Sequence, residues 1–356
     1  MNTPKVSILL PSLNNRQFLQ PRIDSLLAQT FRDWEAIILD SYSTDGSREF
    51  FQSIASTDPR FRLTQVPKEG LYAALNRGIP LATGEFLHIA TCDDTMAPGF
   101  LAAMIEAFAQ CPDAGIAVCD LSFINQDGHE LLAQDMAAHL SKGAIRNLLG
   151  SGRVRTAFPA REQREPNYRP VPHDCLLHFT GRSVYFSLTQ LLVRMALVRA
   201  VGPFETTAGS VADFGWLVRL TSMTGSVHLP RNLATWRFHG DQLSVQRDNS
   251  RISNMKRMCQ GALLEICGRD PCLITRNDRE ALLLSYKTRL AGSAMARVSS
   301  WIEVPIRLFL MFLEQPAATM RALFRANFRV GPRRHFLLSI IFQRMGLTPK
   351  ALRSSR

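Results

Sequence analysis

No apolar run in this sequence approaches the roughly 20 residues that a membrane-spanning helix requires. The run VSILL at 6–10 is too short for the apolar core of a signal peptide. A polytopic membrane protein and a conventionally secreted protein are therefore both disfavoured. The seven cysteines, Cys92, Cys111, Cys119, Cys175, Cys259, Cys267 and Cys272, are odd in number, scattered and without a CxxC pair. A disulfide scaffold and a structural zinc site both lack their signature, and reduced thiols in a cytosolic protein are expected. Internal repeats and low-complexity segments are also missing. Acidic residues are scarce in one place only. Residues 251–356 hold 19 Lys/Arg against 6 Asp/Glu, whereas residues 1–250 hold 23 against 24.

What is present is a chain of 356 residues, 46% hydrophobic and 20% charged. That length fits two domains, or one large domain with an appendage, and the composition supports a sizeable core. The charge asymmetry divides it into a near-neutral body and a basic tail that fits an anionic partner. Anionic lipid headgroups and nucleic acid carry the right charge, though no nucleic-acid-binding module is recognisable and none is expected to bind. A solvated basic face is the alternative.

The first 120 residues alternate strand and helix signals. Buried-strand runs fall at 5–11 (KVSILLP), 35–40 (EAIILD), 61–66, 85–90 (EFLHIA) and 115–120. Helix patterns fall between them at about 18–29, 44–55, 71–81 and 98–109. This order predicts an α/β fold, a mostly parallel sheet flanked by helices. Ligands of such sheets bind beyond the carboxyl ends of the strands. Those ends carry Pro11–Asn15, Asp40–Ser43 and Cys92–Thr95. The stretch 153–172 reads as a long Arg- and Pro-rich loop. Periodicity returns at 189–201 and 211–221, followed by WRFHGDQLS at 236–244. Beyond residue 254 helix patterns dominate, with Arg321, Arg325 and Arg329 on one face and Phe324 and Phe328 on another.

Several residues carry candidate chemistry. Asp93 and Asp94 follow a buried strand, and adjacent carboxylates repel unless a cation or a proton offsets them. Mg²⁺ or Mn²⁺ would suit them, and so would an ordinary turn and helix N-cap. Asp40 ends a strand before a Ser/Thr/Asp/Gly turn, where an acid accepts hydrogen bonds from a base or ribose, or is simply solvated. Gly70, in GLYAALNRG, opens a helix whose N-terminus suits phosphate, or is a plain helix start. Asp213 leads an aromatic helix, as a general base or as a favourable N-terminal charge. His239 is a metal ligand or a loop histidine.

In combination these segments are more specific. VSILLPSLN, SLLAQTFRDWEAIILDSYSTDGS, the G-x-x-x-A-x-N-x-G pattern, ATGEF and the acid pair, then LLVRMALVRAVGPFE, ADFGWLVRL and LATWRFHGDQLS resemble the family 2 glycosyltransferases of the GT-A fold. The resemblance covers residues 4–246. It implies a Rossmann-like GT-A sheet and an inverting transfer of sugar from a nucleoside diphosphate sugar, usually a UDP-sugar, to an acceptor hydroxyl. It implies that Pro11, Ser12, Asn14, Asp40, Ser43, Gly70, Asn76 and Asp93 line the nucleotide-sugar pocket. Asp93, Asp94 and His239 would hold Mg²⁺ or Mn²⁺, and Asp213 would be the catalytic base. Where many members carry a second Asp after Asp40, this chain has Ser41 and Tyr42; where many carry an acid or Asn before the acid pair, it has Thr91.

The resulting expectation divides the chain into a nucleotide-sugar part (1–120), an acceptor part (121–250) and a basic helical region (251–356). The acceptor is a saccharide or a lipid-linked sugar, in cell-surface polysaccharide or glycolipid assembly. The location is cytoplasmic and peripheral, at an anionic membrane surface. Two other readings compete. A sugar nucleotidyltransferase would carry a Gly-rich loop after the first strand, and PSLNNR at 11–16 has no Gly. A catalytically impaired relative would act as a binding module through its basic region.

Overall fold

All seven residues of β1 (Val6–Ser12) are buried, as a strand covered on both faces requires. In the computed structural model the described residues are 3–131, 166–178, 185–240, 254–255, 257–258, 261–262 and 350–351. β1 pairs in parallel with β2 (Trp34–Asp40) on one side and with β4 (Phe86–Ile89) on the other, and β3 (Phe61–Gln65) lies parallel outside β2. Helices α1 (Arg16–Leu27), α2 (Ser47–Thr57) and α3 (Leu71–Gly78) make the crossovers.

The second half of the sheet is mixed. After α4 (Phe100–Gln110) come β5 (Ala114–Ile124), β6 (Asn167–Arg169), α5 (His173–His178), β7 (Leu191–Arg194), α6 (Met195–Val201), α7 (Ala212–Met223), β8 (Gly225–Arg237) and β9 (Lys350–Ala351). The strand order is β3-β2-β1-β4-β7-β5-β8-β6-β9. β7 runs antiparallel to both neighbours, β5 and β8 are parallel, and β6 is antiparallel to β8.

The core has two layers because strand side chains alternate. Val6, Ile8 and Leu10 face α1, α2 and α4, with Leu19, Ile23, Phe51, Phe100 and Met104. Leu9, Ile37 and Leu39 face α3, α6 and α7, with Tyr72, Leu75, Val198, Trp216 and Leu220.

The first five strands lie within a few residues of the expected runs. Two features differ. The segment expected as one periodic stretch at 189–201 is divided: a capping box of Ser187 and Gln190 sets a 3₁₀ turn at Leu188–Gln190, then β7 and α6 follow. The short apolar run of β7 fits strand and helix patterns alike. Pairing with β4 and β5, and the hydrogen bond from Gln190 Nε2 to the Cys119 carbonyl (2.6 Å), decide for a strand. The second difference is that β5 runs through the expected boundary at 120/121, so the segments expected as separate nucleotide and acceptor parts share one sheet. Most of the loop expected at 153–172, and the basic region with Arg321, Phe324, Arg325, Phe328 and Arg329, lie outside the described residues.

Candidate active site

The carboxyl ends of β1, β2 and β4 form one edge. Register places Ser12 opposite Asp40, and the Ser41 N–H donates to the Ser12 carbonyl at 2.9 Å. The two loops that follow are clasped together. Asn14 N–H donates to Ser43 Oγ (3.0 Å), Thr44 N–H donates to Asn14 Oδ1 (2.8 Å), and Arg16 N–H donates to Asp45 Oδ2 (2.8 Å). Asp40 is fully buried, yet among the described residues its carboxylate accepts only from the Ser43 N–H, at a long 3.3 Å to each oxygen. A buried carboxylate with weak internal donors keeps capacity for an incoming one. Pro11 and Ser12 are buried strand-end residues beneath this edge. The Pro11 carbonyl accepts from the Cys92 thiol at 3.1 Å, tying the acid loop to β1. Burial pushes that thiol up to about 12, so it stays protonated.

The acid loop after β4 is held by β8. Ala97 N–H donates to the Leu233 carbonyl and Thr235 N–H to the Thr95 carbonyl, at 2.8 and 2.9 Å. Extended backbone sends alternate side chains the same way, and Thr235, Arg237 and His239 all engage this loop. Thr235 Oγ1 accepts from the Thr95 N–H (2.8 Å), Arg237 Nε donates to the Asp93 carbonyl (2.6 Å), and His239 Nε2 lies 3.0 Å from Asp93 Oδ2. Between them, Trp236 and Phe238 pack on one another and on Phe123. Phe18 of α1 lies against the His239 ring, centroids 4.9 Å apart, and beneath the Arg237 guanidinium at 5.3 Å.

The two acids have separate environments. Asp93 keeps 23% of its side chain exposed and faces His239. Asp94, expected beside it as a metal ligand, turns inward and is 2% exposed. One Asp94 oxygen accepts from Thr91 Oγ1 (2.6 Å), the other from the Arg237 N–H (2.8 Å). Burial, together with the neighbouring Asp93 carboxylate, pushes the Asp94 carboxyl up to about 7. Arg22, fully buried on α1, donates from Nε to the Thr91 carbonyl (2.8 Å) and from a terminal nitrogen to Thr189 Oγ1 (3.1 Å). Burial lowers its own pKa, and the charge of Asp94 opposes that shift.

His239 Nε2 and Asp93 Oδ2, 3.0 Å apart, are at hydrogen-bond distance, and a carboxylate is a ligand type that Mg²⁺ and Mn²⁺ accept. Among the described residues no three His, Cys, Asp or Glu side chains converge on a metal position. The other ligands of such an ion would come from water and phosphate.

Three expected residues are supports or lie on a separate element. Asn76 exchanges two hydrogen bonds with the Phe204 backbone, at 2.9 and 2.8 Å, so its amide ties α3 to the segment before α7. Gly70 precedes α3 with φ +95°, a left-handed region that favours glycine. Asp213 sits in the first turn of α7, where Oδ1 accepts from the Phe214 N–H (2.7 Å). α7 leads directly into β8, which is parallel to β5, and over its 12 residues it climbs about 18 Å. Its N-terminus therefore lies toward the same sheet edge as Ser12, Asp40 and Asp93.

Arg22 and Arg237 were not singled out from sequence, and Thr91 was noted only as a departure from the family pattern. Arg22 carried a signal, an arginine on the apolar face that also holds Leu19, Ile23 and Leu26. A buried network behind β8 was also missed. Asp174 gathers Arg169 Nε (2.7 Å), His173 Nδ1 (3.0 Å), Tyr185 Oη (2.6 Å) and Ser226 Oγ (2.5 Å). It joins β6, α5 and β8. His178, at the other end of α5, meets the Phe214 ring edge-on at 5.6 Å, next to Asp213.

Comparison with known proteins bears on the first half of the chain. The model for glycosyl transferase family 2 matches residues 7–167. The chain is similar to TuaG of Bacillus subtilis, named as a teichuronic acid biosynthesis glycosyltransferase, at 30% identity over 133 residues (37% of this chain, 49% of TuaG). It is also similar to the GalNAc(5)-diNAcBac-PP-undecaprenol beta-1,3-glucosyltransferase of Campylobacter jejuni, at 31% over 105 residues (29% of this chain, 34% of that protein). The chain thus spans between a third and a half of these relatives' length. Among solved structures, S. aureus TarS 1–349 in complex with UDP superposes with TM-score 0.57 at 14% identity, covering 97% of this chain and 90% of that one. At that identity the likeness shows the fold alone, a mixed sheet flanked by helices as the GT-A expectation has it.

Proposed function

We propose that the chain is an inverting glycosyltransferase that moves a sugar from a nucleoside diphosphate donor, a UDP-sugar, to an acceptor hydroxyl. The observation that carries this reading is the joining of two features at one sheet edge. One is buried Asp40 with spare acceptor capacity; the other is the Asp93–His239 pair on the adjoining loop. Asp40 would accept from the base or ribose, with the clasped loops of Ser12, Asn14 and Ser43 holding the nucleoside. Asp93 and His239 would hold Mg²⁺ or Mn²⁺, which, when bound, supplies Lewis-acid stabilisation of the diphosphate leaving group.

In the transfer the acceptor oxygen forms a bond to the anomeric carbon as the bond from that carbon to the diphosphate oxygen breaks. The electron pair of the broken bond leaves with the nucleoside diphosphate, and one displacement inverts the anomeric centre. Asp213, in the first turn of α7, takes the acceptor hydroxyl proton. No enzyme nucleophile is needed. Both cited relatives are named for polymer or lipid-linked saccharide assembly, which supports a saccharide or lipid-linked acceptor. The basic region, with 19 Lys/Arg against 6 Asp/Glu in residues 251–356, supports work at the inner surface of an anionic membrane.

The test is turnover of a panel of nucleoside diphosphate sugars with saccharide and lipid-linked acceptors, reading the product linkage by NMR. Inverted product from wild type is expected, with kcat in Asp213→Asn reduced about 10²–10⁴-fold and donor affinity retained. Retained anomeric configuration, or full activity in Asp213→Asn, would overturn the reading.

A further inference from the structure

Among the described residues two non-glycines have positive φ, Asn14 at +54° and Tyr42 at +57°. Both lie in the two loops at the candidate donor pocket. L side chains crowd the following carbonyl in this region, so a bulky residue there needs a compensating gain. Asn14 has one, because its backbone and side chain clasp Ser43 and Thr44. Tyr42 has none within the described chain. Its side chain makes no hydrogen bond or ring contact among the described residues, and it is 56% exposed, the most exposed of the large hydrophobics described. Its neighbours are the reverse. Ser41 is buried, and Ser43 is fixed from both sides by Asp40 and Asn14. A rigid loop thus presents one aromatic ring to solvent, at a backbone position suited to glycine, two residues from the buried Asp40.

We propose that the Tyr42 ring stacks on the nucleobase of the donor, so that stacking from Tyr42 and edge recognition from Asp40 divide the reading of the nucleoside. This rests on the donor-binding reading above. Aromatic stacking accepts the π-face of any base, whereas a carboxylate discriminates by donors on the base or ribose edge. The two residues therefore have separable signatures.

The experiment is equilibrium binding of UDP, GDP and inorganic pyrophosphate to the full chain with Mg²⁺ present. It compares wild type, Tyr42→Gly, Tyr42→Phe and Asp40→Asn, with Tm recorded for each. Tyr42→Gly is expected to weaken UDP binding about 5- to 100-fold, the range of one lost stacking contact. It should weaken GDP by a similar factor where GDP binds, and leave pyrophosphate unchanged. Its Tm should hold or rise, because glycine relieves the positive φ. Tyr42→Phe keeps wild-type affinity. Unchanged UDP affinity in Tyr42→Gly, alongside loss in Asp40→Asn, would overturn the stacking role and leave the donor site standing. An equal loss for pyrophosphate, or a lower Tm accompanying the lost affinity, would make Tyr42 a loop-structure residue and also overturn it. Failure of wild type to bind either nucleotide would remove both readings.

Discussion

At the residue scale, the adjacent acids Asp93 and Asp94 have different surroundings, because one stays partly exposed beside His239 and the other is buried. Asp93→Ala removes a partly exposed carboxylate and is expected to change unfolding free energy by less than about 1 kcal/mol while abolishing cation-dependent donor binding. Asp94→Ala leaves the Thr91 hydroxyl and the Arg237 N–H without their buried acceptor and is expected to cost about 3 kcal/mol. Urea unfolding of the two variants checks both values. The strand-end positions of Asp40 and Asp93 were legible because acids after apolar runs of strand length mark the carboxyl edge of a parallel sheet. The division of labour within the pair was not legible. It depends on Arg237 and Thr91, which the fold brings to Asp94 across 143 and 3 residues of sequence. Arg22 was hidden for a related reason, since helical periodicity is read from apolar positions and an arginine among them is passed over.

At the element scale, the parallel half of the sheet was legible because each strand and crossover helix carries its own pattern. β7 and β6 were not, being short pieces fixed by partners distant in sequence. Close packing can be tested at Gly84, where an added Cβ would lie 2.6 Å from the Ser7 backbone nitrogen. Backbone cannot yield as a flexible side chain does, so Gly84→Ala is expected to destabilise by about 1–3 kcal/mol, read as a lower urea midpoint.

The Asp174 network offers an element-scale test with a pH signature. Burial alone would raise the Asp174 carboxyl. The Arg169 guanidinium and the His173 and Ser226 hydrogen bonds more than offset that, and hold it well below the usual carboxylate range. A depressed native pKa adds stability above the unfolded value of about 3.9, and that stability is lost as pH falls through and below it. Wild-type stability should therefore drop between about pH 5 and pH 3, and Asp174→Asn should be less stable at pH 7 with a flatter acid limb. Because α5 carries this network at one end and His178 against Phe214 at the other, the same variant should lower kcat more than donor affinity. Equal acid limbs in urea titrations at several pH values would contradict this.

At the scale of the whole molecule, one sheet unites the segment matched by the family model with the region that supplies Asp213, Arg237 and His239, so the proposed donor and acceptor sites would share one frame. Among the described residues no helix is long and apolar enough to cross a membrane. The proposed membrane contact falls to the basic region. Its test is co-sedimentation of the full chain with anionic liposomes, expected at low salt and reversed at high salt as screening shortens. A chain that stays in solution at low salt contradicts it.

The central claim is that the edge formed by Asp40 and by Asp93 with His239 is a cation-dependent nucleoside diphosphate sugar site. The most direct measurement is calorimetric titration of a UDP-sugar into the full chain, with Mn²⁺ and with EDTA, for wild type and Asp93→Ala. The account predicts binding to wild type with Mn²⁺, its loss in EDTA, and its loss in a folded Asp93→Ala. Equal binding in all four samples, or none to a folded wild type across UDP-, GDP- and dTDP-sugars, would contradict it.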